Sequence, residues 1–270
     1  MVVTTFPVEE TGALLSPVVE GDLWTASARL PDGAYTTLRT YRGDRVLRLE
    51  QHVRRLSESL SPPRAVSAER IRRGLALALE ALGFPETRFR ITFAPPALYV
   101  SGEPFTPLPE SAFRDGVRAC TLKIRRANPE AKDTRFIATA ASAYAGLPPG
   151  VNEGLMLAED GMILEGLSSN FFAIQGGVLR TEDARVLKGV TRAIVMEVAA
   201  GLLSTEPVPV RIGGIASVEE CFLTSVSREV LPLVAIDEHV IGAGRPGPVT
   251  RALIARFADL VARESVALRA

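Results

Sequence analysis

Apolar residues at helical spacing mark the first half of the chain. Leu49, Val53, Leu56 and Leu60 repeat until Ser61-Pro62-Pro63 stops them, and Ile71, Leu75, Leu79 and Leu82 form a second stripe. The second helix is expected to start near Ser67, with Glu69 in its first turn and Gly83 where a C-cap glycine belongs. Ahead of both, residues 33–49 read as a hairpin: strand-forming side chains run from Ala34 to Tyr41, Gly43-Asp44 makes the turn, and Val46-Leu47 returns. Residues 89–93 and 98–100 read as strands separated by Pro95-Pro96. A further strand over 117–124 leads into the polar stretch 125–130.

The second half opens with a helical run over 133–145. Residues 155–158 and 162–164 flank Glu159-Asp160-Gly161, a hairpin signal that leaves Glu165 at the end of a strand. A second hairpin joins 171–174 to 178–180 about Gly176-Gly177, and Ile194, Val195, Val198 and Leu202 give the apolar side of a helix beginning near Thr191. Strand 221–224 runs into Ser225 and Ser227, and an amphipathic helix occupies 248–263. Strands and helices in hairpin order predict two α+β lobes rather than a doubly wound parallel sheet. The polar stretch suggests the boundary: a small N-terminal domain at 1–124, a linker at 125–131 and a larger C-terminal domain at 132–270.

Composition narrows the class. The 31 basic and 31 acidic residues cancel, which argues against a nucleic-acid or membrane-surface partner. No apolar stretch approaches the ~20 residues needed to span a bilayer. The N-terminus has no charged segment followed by an apolar run, so a cytoplasmic protein is expected. Cys120 and Cys221 are too few for a disulfide framework. The only histidines, His52 and His239, have no cysteine nearby, and no metal site is expected.

Only three of the 31 basic residues are lysines: Lys123, Lys132 and Lys188. A lysine amine can be desolvated into a neutral nucleophile, whereas a guanidinium stays charged. Covalent amine chemistry therefore has few places to sit. Lys123 falls in a predicted strand and Lys188 beside a predicted helix start. Lys132 follows Asn128-Pro129-Glu130-Ala131 and precedes a helix, where a turn could aim it into a cleft; taken alone, a lysine near a helix start reads as a surface charge. Glu165 is the kind of carboxylate that keeps a pyridine nitrogen protonated, although an exposed hairpin glutamate has the same signature. Gly189-Val190-Thr191 opens a helix with backbone amides and a hydroxyl, where the dipole favours phosphate; an ordinary threonine cap looks alike. An amine, a carboxylate and a helix N-terminus are the three handles that pyridoxal phosphate requires. The chain has no P-loop, nucleophile elbow, H-E-x-x-H or dinucleotide-binding glycine fingerprint.

Together these segments resemble the class IV aminotransferases, the fold type IV pyridoxal-phosphate family that includes branched-chain and D-amino-acid aminotransferases and 4-amino-4-deoxychorismate lyase. The likeness covers roughly residues 30–250. Gly33-Ala34-Tyr35-Thr36-Thr37-Leu38-Arg39 is similar to the family's opening strand, and His52-Val53-Arg54-Arg55-Leu56 to its H-x-x-R-L helix. Glu165-Gly166 with Ser169, Asn170 and Phe172 is similar to its E-G-x-x-S-N-x-F segment. Gly189-Val190-Thr191-Arg192 resembles the G-[IV]-T-R phosphate turn, and Phe222-Leu223-Thr224-Ser225 followed by Glu229-Val230-Leu231-Pro232 the last cofactor loop. The resemblance implies Lys132 as the catalytic amine, and Arg55, Glu165, Asn170, Val190, Thr191 and Ser225 as ligands of the cofactor pyridoxal 5'-phosphate. It also implies a homodimer. Arg135 and Phe136 stand where many relatives carry Asn and Tyr, Val226 replaces a hydroxyl residue, and no Arg-Gly carboxylate trap of the D-amino-acid enzymes is found around Ile91-Thr92-Phe93-Ala94.

The expected function is amino-group transfer from an amino acid to a 2-oxo acid, branched-chain-like, with Tyr35 and Arg39 meeting the substrate carboxylate. The alternative is aminodeoxychorismate lyase, releasing pyruvate and 4-aminobenzoate. Thr36-Thr37 is nearer to the lyase form of the opening strand than to the F-E-T form of branched-chain enzymes. A cofactor-binding protein without catalysis is a third reading, suggested by Phe136 and Val226 and opposed by the retention of Lys132, Glu165 and Arg55.

Overall fold

In the computed structural model, which describes residues 2–269, the chain runs β1 (Val3–Val8), β2 (Val18–Glu20), α1 (Leu23–Ala28), β3 (Ala34–Arg39), β4 (Arg45–Val46), α2 (Leu49–Glu58), α3 (Ala68–Leu82), β5 (Thr87–Ala94) and β6 (Ala97–Pro104). It continues with α4 (Glu110–Arg114), β7 (Val117–Leu122), α5 (Arg135–Ala145), β8 (Glu153–Leu157), β9 (Ile163–Gly166), β10 (Asn170–Gln175) and β11 (Val178–Arg180). Then come α6 (Val190–Ala199), β12 (Thr205–Glu206), a 3-10 turn over Ile212–Ser217, β13 (Glu220–Ser225), β14 (Glu229–Ile236), β15 (His239–Val240), α7 (Pro248–Glu264) and β16 (Val266–Ala267). One compact unit comprises Met1–Thr106, Ala131–Thr139 and Val261–Ala270; the other comprises Pro107–Glu130 and Ala140–Leu260. The polar stretch 125–131 suggests a single crossing. In the structure 107–124 belong with the second unit, whereas the segment around Lys132 and residues 261–270 belong with the first.

The first unit is built on a five-stranded antiparallel sheet of order β2-β1-β6-β5-β3. Side chains alternate between its faces. Phe6, Val8, Leu38, Phe89, Ile91, Phe93, Leu98 and Val100 form one core with the stripes of α2 and α3. The intervening rows are polar: Thr5 bonds Ser101 across the sheet at 2.8 Å, and Arg90 pairs in register with both Ser101 and Thr37. Helix α3 starts and stops as predicted, the Ser67 hydroxyl accepting from Arg70 N at 3.2 Å and Gly83 taking φ +65°. Only the turn of the hairpin expected over 33–49 forms, with Tyr41 and Arg45 exchanging backbone bonds of 2.7 and 3.0 Å. Strand β3 instead pairs along its whole length with β5, and the two-residue β4 pairs with β16. The return strand is too short to cover β3, so the longer β5 takes its place.

In the second unit the mixed sheet runs β12-β11-β10-β13-β14-β7-β8-β9, with parallel contacts at β14–β7 and β7–β8. One further pair, Asn170 opposite Glu165, joins β10 to β9. It closes β10, β13, β14, β7, β8 and β9 into a ring. Leu155, Ile163, Phe171, Leu223, Leu231 and Leu233 fill one core, while Phe172 and Phe222 stack with ring centroids 5.1 Å apart. Helix α7 is capped by a carboxylate from the sheet, Glu220 accepting Val249 N at 3.0 Å and Thr250 N at 2.7 Å. Gly247 has to be glycine there, because a Cβ would lie 2.0 Å from the Glu220 carboxyl carbon. Among the described residues no helix is long and apolar enough to cross a membrane.

Glu220→Ala leaves two first-turn amides without their acceptor. It is expected to lower stability by about 1–3 kcal/mol, read as an earlier urea midpoint at unchanged slope; an unchanged midpoint contradicts the capping role.

Candidate functional site

Lys132 belongs to the first unit and is anchored by its backbone. Strand β3 is an edge, and residues 132–134 cover it: Tyr35 N donates to Lys132 O at 2.9 Å, Thr134 N to Gly33 O at 3.0 Å, and Lys132 N to Ser59 Oγ at 3.0 Å. The Lys132 ammonium lies 4.5 Å from the centroid of the Tyr35 ring. Arg55 is aimed by the same strand, its Nη2 donating to Thr36 Oγ1 at 2.6 Å. The same hydroxyl shares a hydrogen bond of 2.8 Å with His52 Nδ1. Burial, and then the charges of Arg55 and Lys132, hold the pKa of His52 well below the ordinary value of 6.5.

The two residues expected to meet a substrate carboxylate differ in setting. Tyr35 is buried beside Lys132. Arg39 is stacked against Tyr41 and Phe105, at 4.1 and 4.2 Å, and has Glu86 at 3.7 Å. Arg90 was not evident from sequence. Its guanidinium lies 5.1 Å from the Tyr35 ring centroid and donates to Leu23 O at 3.0 Å and to Ser27 Oγ. No carboxylate of the described residues lies within ion-pair distance of it, and its buried Nε makes no hydrogen bond among them. Burial lowers its pKa from the ordinary arginine value.

In the second unit Glu165 is 2% exposed. Arg126 Nε donates to Oε1 at 2.8 Å, and Asn170 Nδ2 donates to Oε2 at 3.1 Å across the pair that closes the ring. Asn170 Nδ2 also reaches Leu187 O at 2.7 Å, and Leu187 N donates back to Glu165 at 3.3 Å. Arg192 pins this loop from α6, reaching Glu182 O at 3.0 Å and Asp183 at 2.9 Å. That loop delivers the chain to Gly189, where α6 begins with no side-chain cap over the amides of Val190 and Thr191. A Cβ on Gly189 would stand 2.4 Å from Asn170 Oδ1. Thr224, in register with Asn170, has a buried hydroxyl with no hydrogen-bond partner among the described residues; Ser225 follows it at the strand end.

Strand pairing thus gathers Glu165, Asn170, Val190, Thr191 and Ser225 in the second unit, while Lys132, Tyr35 and Arg55 cluster in the first. The sequence puts Arg126 in the expected linker and marks His52 as the first residue of the H-x-x-R-L segment, with no metal partner near it and no role of its own. Arg126 carries no local signal beyond the Arg125-Arg126 pair; for His52, its place in H-x-x-R-L is the signal. Among the described residues no group of three potential metal ligands forms.

An uncapped, glycine-started helix, an orphaned hydroxyl and a buried carboxylate met by several donors on a closed strand ring suit a phosphorylated pyridine. With the two α+β units, they define a fold type IV protein. The chain belongs to the amino-transferase class IV family, whose model matches residues 33–236. The branched-chain-amino-acid aminotransferase of Pseudomonas aeruginosa is 30% identical over 58% of this chain and 54% of its own length. The match thus spans about half of that relative. A branched-chain amino acid aminotransferase of T.th., solved with pyridoxamine 5'-phosphate, superposes with a TM-score of 0.79 at 20% identity, over 99% of this chain and 98% of that one. At that identity the likeness carries the fold. The 4-amino-4-deoxychorismate lyase of Pseudomonas aeruginosa superposes at 0.71 with 28% identity, over 84% of this chain and 90% of that one.

The His52 geometry predicts an acid sensitivity. Below the ordinary value of 6.5 the unfolded chain takes up a proton that folded His52 refuses, so stability falls with pH there. The loss approaches about 1.4 kcal/mol per pH unit for one proton. Urea unfolding between pH 7 and 5 should show this slope, and His52→Asn should flatten it.

Proposed function

We propose that the protein is a pyridoxal-phosphate-dependent transaminase that moves an amino group from an amino acid to a 2-oxo acid, branched-chain-like in substrate, and acts as a cytoplasmic homodimer. The observation that carries the reading is that the chain holds both an edge-anchored lysine, Lys132, in the first unit and a buried, hydrogen-bonded carboxylate, Glu165, in the second, with two other lysines in all. When bound, pyridoxal phosphate supplies an electron sink for a carbanion at the substrate Cα.

The chain's own residues do the rest. Lys132 Nζ would hold the cofactor covalently and, with the donor's amine in its place, would serve as the base that takes the proton from the substrate Cα. Glu165 holds the pyridine nitrogen in its protonated form, and Arg126 and Asn170 fix that carboxylate so that it cannot turn away. Arg55, aimed by Thr36, and the amides of Val190 and Thr191 bind the phosphate, with Ser225 adding a hydroxyl. Tyr35 and Arg39 lie on the substrate strand. Arg90, lacking a carboxylate of its own beside Tyr35, is better suited than Arg39 to take the substrate's carboxylate. The lyase reading stays as the second one, supported by Thr36-Thr37 and by the structural likeness to the lyase.

Purified protein given pyridoxal phosphate should absorb in the near-visible. A branched-chain amino acid should bleach that band, and a 2-oxo acid should restore it. Release of pyruvate from aminodeoxychorismate with no oxo-acid acceptor would favour the lyase instead. Lys132→Ala should lose the band and cut turnover by about a hundredfold or more. Arg90→Met should raise KM for amino acids by about 10- to 100-fold while leaving amines without a carboxylate unaffected; an unchanged KM removes Arg90 from the substrate.

A further inference from the structure

A second buried carboxylate lies behind the Glu165 loop. Glu153, the first residue of β8, is fully buried, and its two oxygens accept four hydrogen bonds. Tyr144 Oη donates to Oε1 at 2.7 Å and Gly154 N at 3.1 Å; Ser169 Oγ donates to Oε2 at 2.8 Å and Arg228 Nη1 at 2.6 Å. All of its acceptor directions are used. The other arm of Arg228 donates to Tyr144 Oη at 3.0 Å and to Ser168 Oγ at 2.9 Å. The network accounts for Gly166, since a Cβ there would meet Ser169 Oγ at 2.3 Å and the Glu153 carboxyl carbon at 2.9 Å. Burial works against the charge on Arg228, but Glu153 and Tyr144 outweigh it and raise its pKa. Burial likewise pushes the Tyr144 phenol up, so its proton remains available to Glu153.

What the network joins matters more than its own stability. Ser168 and Ser169 lie between Glu165 and Asn170. Arg228 closes the turn after β13, its backbone N bonding Ser225 O at 3.3 Å, and Glu229 follows in the left-handed region at φ +53°. Nothing in the ladder fixes the Ser225–Arg228 turn to the 166–170 loop, because the β10–β13 pairing ends at Asn170 and Thr224. The Arg228 side chain supplies that tie. We propose that Glu153, Arg228 and Tyr144 are positioning residues that hold the turn after Ser225 and the loop joining Glu165 on β9 to Asn170 on β10 in one fixed relation, and that cofactor affinity depends on this tie. The proposal rests on the pyridoxal-phosphate reading above. None of the three residues is asked to touch the cofactor. A pure packing role is the rival account: a half-buried arginine and a buried glutamate could simply neutralise each other.

The test compares Tyr144→Phe, Ser168→Ala, Arg228→Met and the charge-free double variant Glu153→Gln/Arg228→Met with the wild type. Apo-protein melting temperature, the pyridoxal phosphate Kd from titration of apo-protein, and the 31P shift and near-visible band of the loaded protein are measured for each. Variants one bond removed from a ligand typically lose about 10- to 100-fold in affinity. Tyr144→Phe and Arg228→Met should raise the Kd on that scale and move both the phosphate and the ring signals. The double variant should recover melting temperature over Arg228→Met without recovering the Kd. If it recovers both, or if folded variants keep the wild-type Kd and spectra, the network only balances charge and the proposal fails. A wild type that binds no pyridoxal phosphate removes the cofactor reading, and this proposal with it.

Discussion

A carboxylate taken almost wholly out of water must be met by donors, or its burial is prohibitive. Glu165 is met from three parts of the second unit: Arg126 after β7, Asn170 on β10 and the backbone of Leu187. Each is held in turn. Asn170 is fixed by the register that closes the strand ring, and Leu187 by a loop whose Glu182 carboxylate accepts the amides of Asp183, Ala184 and Arg185. The pair that completes the barrel is also the pair that orients the carboxylate. The fold and the chemistry therefore share one interaction.

Features set by local sequence were legible in advance. The stripes of α2 and α3, the Ser67 and Gly83 caps, and the hairpins about Gly161 and Gly176-Gly177 follow from residues close together in the chain, and all are present. Pairings decided by competition between distant segments were not legible. A turn signal at Gly43-Asp44 shows where the chain reverses, but not that β5 is the better partner for β3. Short elements such as β2 and α1 are too brief for their periodicity to stand out. In the site, Lys132, Glu165 and Gly189 were picked out by residue type, and Arg55 by motif. Arg126 and Arg90 escaped because one arginine looks like another until the burial around it is known.

The preference for arginine takes on a structural sense. Arg70 alone satisfies Val8 O, Glu9 O, Pro96 O and the Glu10 carboxylate. Arg126 and Arg192, with buried side chains, and the half-buried Arg228 each tie loops together. A planar fork with five donors can serve several acceptors at once and keeps its charge under burial, which a lysine does less well. Spending arginine on these joints leaves the amine function nearly unique in the chain.

The first unit is also discontinuous in sequence. Strand β16 pairs Val266 with Val46, Leu268 N donates to Asp44 O at 3.0 Å, and the Leu268 side chain enters the core beneath α2 and α3. On the ribosome, the unit begun first is thus completed last. Its β4 edge and a corner of its apolar core wait while the whole second unit is made, about 10–30 s at ordinary elongation rates. During that interval the nascent chain carries an open seam, which makes the early sheet a natural client for whatever shields exposed apolar surface in the cell.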